Sequence, residues 1–249
     1  MSKLVSIIVY AAALFWPAVQ ACAADGVVLI DQATVTASGG FPYVIKKPGS
    51  YRLDGNLSVT ASDGIHIESD DVTLDLGGFS ITGPSEQGLV TAISDNGRSH
   101  TGISVRNGHI ASWGNGIGLS QCTGCSVQQV QIRRVIFSGI QMGRAALVSD
   151  NIVIGPGSGS QTGNSPNFGN GISTANNGLV VDNNVVDFSA GITVLLYSSV
   201  RGNNASSNVV GVMATCPSNL IGNIAVGEVD GGFGDTFSGC TRYVNNPGP

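Results

Sequence analysis

Charge is scarce in this chain. Asp, Glu, Lys and Arg make up 11% of its 249 residues, against ~25% in an ordinary soluble domain. The formal net charge is −5, which speaks against nucleic acid as a partner, since phosphate backbones select basic surfaces. Beyond the N-terminus no stretch repeats apolar residues every 3.6 positions between capping residues, so few helices are expected. The apolar run from Leu4 to Trp16 is shorter than the ~20 residues that span a bilayer, and no other segment is a membrane-span candidate. Acidic residues are missing altogether from Asn96 to Ser149, although Arg98, Arg106, Arg133, Arg134, Arg144, His100 and His109 all lie there.

Glycine is in excess, with 36 residues, about twice the usual share, and it is ordered. Gly116-Ile117, Gly139-Ile140, Gly171-Ile172, Gly191-Ile192 and Gly211-Val212 follow one another at intervals of 23, 32, 20 and 20 residues. Asn151, Asn183, Asn203 and Asn223 keep the same rhythm, at 32, 20 and 20. A repeat of about 20–25 residues is too short to bury a core alone and must stack on its neighbours. Within one repeat, Leu179-Val180-Val181, Val185-Val186 and Ile192-Thr193-Val194-Leu195-Leu196 suit strands, because β-branched residues fit a half-buried pleated surface. Asp182-Asn183-Asn184 and Ser189-Ala190-Gly191 separate them, and Asn and Gly accept the left-handed backbone of a sharp corner. Coils stacked at about 4.8 Å let identical amides bond to their counterparts above and below, so the Asn column reads as structural. The expected fold is all-β, a stacked solenoid of roughly eight coils.

The early chain fits the same plan at Gly64-Ile65-His66-Ile67, at Asp71 through Gly83 and at Gly102 through Ile110. With Lys47-Pro48-Gly49-Ser50-Tyr51-Arg52-Leu53 and Val105-Arg106-Asn107-Gly108, these stretches resemble the secreted bacterial right-handed parallel β-helix repeat proteins of the pectate-lyase-like superfamily. The likeness covers about residues 45–246. It implies the fold and leaves function open, since that superfamily holds lyases, hydrolases, epimerases and non-catalytic modules.

Residues 1–23 read as an export signal, with Lys3 as the charge, an apolar run, and Ala21-Cys22-Ala23 as an A-x-A cleavage site. Val19-Gln20-Ala21-Cys22 is also lipobox-like, which would make Cys22 an acylated residue. Residues 24–249 then form one domain, secreted, periplasmic or held at the cell surface. Four cysteines remain. Cys122 and Cys216 lie four coils apart, about 19 Å at 4.8 Å per coil, beyond the ~7 Å reach of a disulfide. The pairing expected is therefore Cys122–Cys125 and Cys216–Cys240. The same separation argues against a four-cysteine zinc site, and a redox CxxC normally opens a helix that is absent here.

Candidate functional residues follow from charge and loops. The 32-residue coil carries about 12 extra residues between Gly155 and Asn170, and solenoid insertions become lateral loops, often on a binding face. Guanidinium groups grip carboxylates with two bonds, so Arg133 and Arg134 are candidates for holding an acidic polysaccharide. Trp113, at the corner Ser112-Trp113-Gly114-Asn115, and Phe168, in the insertion, are candidates for stacking on sugar rings, although Trp113 could equally cover the edge of the core. The reading is a non-catalytic glycan-binding or scaffold module, with no cofactor and no metal. The alternative, taken from the family resemblance, is a polyuronate lyase with Arg133 or Arg134 as base, Asp150 or Asp182 as the nearest acids, and calcium. His109, beside apolar Ile110, is expected to be structural or solvent-exposed.

Overall fold

The computed structural model describes residues 26–84, 88–156 and 169–225, together with the strands Phe233–Asp235 and Thr241–Tyr243. Residues 1–25, Phe168, Cys240 and most of the 155–170 insertion therefore lie outside the described residues. The chain winds into a parallel β-solenoid of about eight turns. The one helix among the described residues, Gln32–Ala37, is capped by the Asp31 carboxylate and buries Val35.

Each turn supplies strands to three faces. Face A contains Leu179–Val181, Ser199–Arg201 and Asn219–Ile221; face B contains Ile152–Ile154 and Asn184–Val186; face C contains Asn170–Thr174, Ala190–Val194 and Val210–Ala214. Two longer strands, Ser104–Leu119 and Ser126–Met142, run through all three faces. Every pairing joins a strand to its equivalent on the next turn. Alternation along each strand then makes columns. On face A the inward column is Leu74, Val105, Val127, Val148, Val180, Val200 and Leu220. Face B stacks Leu57, Ile81, Ile110, Ile132, Val153 and Val185, and face C stacks Ile65, Ile93, Ile117, Ile140, Ile172, Ile192 and Val212. All of these side chains are buried.

The glycine column lies just ahead of the face C column, and its cause is close packing. A Cβ on Gly191 would come within 2.6 Å of the Gly211 carbonyl oxygen, and one on Gly171 within 2.7 Å of that of Gly191. Corner A–B is turned by one residue in the left-handed region: Asn107, Gln129, Asp150, Asp182, Gly202 and Gly222 on successive turns. The residue after it points inward, and from Asn151 onward that residue is the repeating Asn. Asn151, Asn183 and Asn203 each donate from Nδ2 to the Oδ1 of the next Asn at 2.9 Å. The expected ladder is present, buried, and continuous from Asn151 to Asn223. At corner C–A a second, shorter ladder runs through serines: Ser198 Oγ accepts the Gly178 N–H, and Ser218 Oγ accepts the Ser198 N–H.

Trp113 corrects one expectation. Its ring is fully buried, with Nε1–H donating to the Ile81 carbonyl at 3.2 Å. Space for the indole comes from glycines on other turns: a Cβ on Gly83 would lie 2.6 Å from Cδ2 of the ring, and one on Gly64 3.2 Å from Cη2. Trp113 is core and cannot stack on a sugar. Cys122 and Cys125 form a buried disulfide with Cα atoms 5.9 Å apart. Cys216 is disulfide-bonded, and its expected partner, Cys240, lies outside the described residues.

Candidate functional site

The outward side of face B carries two columns. One is Ser80, His109, Gln131, Ile152 and Asn184; the other is Thr82, Ala111, Arg133, Ile154 and Val186. Arg134 follows Arg133 at corner B–C, where its left-handed backbone (φ 54°) turns the chain. Consecutive arginines on a strand would face opposite sides; the corner lets both reach solvent, and both are exposed. Together with His109, Ala111, Gln131 and Ile154 they line a shallow depression. Gln131 stands two residues before Arg133 on the same face, and its Oε1 accepts a hydrogen bond from Arg133 Nη2 at 2.9 Å. This holds one guanidinium over the floor. Gln131 is the residue that sequence reasoning missed; the available signal was its i, i+2 spacing from Arg133 in a strand.

The acid-free stretch does not form one basic band. Arg106 Nε reaches back one turn to Asp75 Oδ2 at 3.1 Å, and Arg98 reaches Glu68 at 3.5 Å. His66 pairs with Asp63 at 2.8 Å and His100 with Asp70 at 3.2 Å. Among the described residues, Arg133 and Arg134 have no carboxylate within 4.0 Å. Carboxylates on the earlier turns are engaged. The Thr101 backbone N–H, at 2.9 Å, and then His100 hold the Asp70 carboxyl below its ordinary range. The Asn96 amide, at 3.0 Å, and more weakly Arg98 do the same for Glu68. What remains on face B is a local pair of unneutralised cations on an acidic protein.

Asp150 and Asp182 do not join this pair. Both sit at corner A–B. Arg133 lies four residues further along its strand than Gln129, the equivalent of Asp150, which is about 13 Å at 3.3 Å per residue. A carboxylate–arginine base pair of the lyase kind is therefore not assembled by these residues. Among the described residues no three His, Cys, Asp or Glu side chains gather as metal ligands, and no helix is long and apolar enough to cross a membrane.

Phe137 is the exposed aromatic nearest Arg134 in sequence. It belongs to a bulge, since between Val135 and Ser138 the strand shifts register against Trp113 and Asn115. No protein-family model, curated protein or solved structure matches this chain. The part of the family resemblance that the structure carries is the parallel β-helix itself.

Proposed function

We propose that this protein is an exported, non-catalytic β-helix module that binds acidic polysaccharide across face B. The observation that carries the reading is the pair Arg133 and Arg134, exposed, without acidic partners among the described residues, and lining one shallow depression with Gln131 and His109. A shallow open depression on a sheet face suits an extended polymer, and Ala111 and Ile154 give an apolar floor for the C–H face of a sugar ring. Export is supported by Lys3, the apolar run after it and the Ala21-Cys22-Ala23 site.

The test is titration calorimetry with oligogalacturonate, comparing the wild type with Arg133→Gln/Arg134→Gln. Wild-type binding should weaken as salt is added, because exposed charge pairs are screened within about 10 Å at 0.1 M, and the double variant should lose most of it. Binding absent from the wild type, or indifferent to both salt and the substitutions, would leave a scaffold role alone.

A further inference from the structure

The depression holds a third ionisable group whose charge depends on pH. His109 is exposed and outward on face B, in register between Ser80 on the preceding turn and Gln131 on the next. It lines the same depression as Arg133 and Arg134. Histidine is the side chain that ordinarily changes charge between pH 5 and 8. The other two described histidines each face a carboxylate, Asp63 for His66 and Asp70 for His100; His109 has no such partner within 4.0 Å among the described residues. Its register neighbours are Ser80 and Gln131, and Arg133 and Arg134 line the depression with it. Around corner A–B, Arg106 is paired with Asp75, and Asp150 and Asp182 stand on the corners of later turns.

A polyanion lying in the depression would favour the positively charged form of an imidazole beside it. We infer that anion binding on face B is proton-linked: the ligand draws a proton onto His109, and the protonated site, with three positive charges instead of two, binds the ligand more tightly. Linkage makes the two effects equal in size. This rests on the acidic-polysaccharide reading above. The expected gain from about pH 7.5 to about pH 5.5 is roughly two- to fivefold in affinity, the size of one exposed ion pair.

The experiment measures the Kd of oligogalacturonate at both pH values for the wild type, His109→Gln and His109→Lys. Since His109 is a surface residue of a strand, all three should fold. The wild type should bind more tightly at the lower pH, His109→Gln weakly and equally at both, and His109→Lys tightly and equally at both. Wild-type affinity that ignores pH, or a pH dependence that survives in His109→Gln, overturns proton linkage and leaves the polysaccharide reading intact. Wild-type protein that binds at neither pH overturns both.

Discussion

Asn203 Oδ1 accepts two hydrogen bonds from Asn183, one from the backbone N–H and one from the side-chain Nδ2–H, both at 2.9 Å. Asn203 Nδ2 donates in turn to Asn223 Oδ1 and to the Val180 and Arg201 carbonyls. Every polar atom of a buried amide is thereby engaged, and each link depends on the next turn.

Replacing Asn203 with Ala should take the acceptor from the buried Asn183 backbone N–H and the Asn203 donor from the Val180 carbonyl, while Asn183 Nδ2 keeps its bonds to the Val148 and Val181 carbonyls, at a cost of about 1–3 kcal/mol. Urea denaturation checks this. Asn203→Asp separates accepting from donating, because a carboxylate can take the Asn183 bonds but cannot supply the outgoing ones. Burial raises the pKa of such an acid, so this variant should be more stable at low pH and lose stability as pH rises through that pKa. A pH-independent Asn203→Asp would mean that the donors contribute little.

Gly83→Ala should be among the more damaging single methyl additions, because the new Cβ meets both the Ser112 carbonyl oxygen and, at 2.6 Å, the Trp113 ring. Overpacking of this kind typically costs about 1–3 kcal/mol. Combining it with Trp113→Leu should restore part of the loss, since the smaller side chain vacates the ring contact while the backbone contact with Ser112 remains. A double variant whose destabilisation equals the sum of the single ones would refute the ring contribution to the clash.

Asp70 supplies a pH test of the native fold. Its carboxyl is held below the ordinary value chiefly by the Thr101 N–H. The stabilisation is therefore fully present above the unfolded-state pKa and is lost as pH falls through the lower, folded-state value. The stability difference between wild type and Asp70→Asn should shrink in that acid window and stay constant above it. The carboxylate is solvent-exposed, so the effect is small and best read from paired thermal melts.

Both cysteines of the Cys122–Cys125 bridge are buried. Thiol labelling after mild reductant should find them unreactive in the native protein and reactive once it is denatured. Labelling of the folded, reduced protein at both positions would show that this corner opens readily. Mass mapping of the unreduced protein should also find Cys216 linked to Cys240.

The repeat was legible because its determinants are local. Val, Ile, Gly and Asn each recur at a position that every turn uses in the same way, so spacing alone placed Asn183 over Asn203. Trp113 was not legible, because its burial depends on Gly64 and Gly83, which arrive from earlier turns of irregular length. The residue that turns corner A–B was partly hidden too: Asn183 takes the ladder, while Asp182 before it takes the left-handed backbone. The face B depression lies between these cases. Arg133 and Arg134 stood out by charge, but separating them from Arg98 and Arg106 required the ion pairs to Glu68 and Asp75 on neighbouring turns.

The equal 20-residue spacing from Val180 to Val200 to Leu220, shared by Asn183, Asn203 and Asn223, makes these turns interchangeable modules. Excising residues 184–203 would set Asn183 directly over Asn223 and Val180 over Leu220, with every column still in phase. Molecular length is thus nearly uncoupled from core design. A lineage could shorten or extend this rod by unequal recombination of whole turns, while the His109, Gln131, Arg133 and Arg134 positions on earlier turns keep their places.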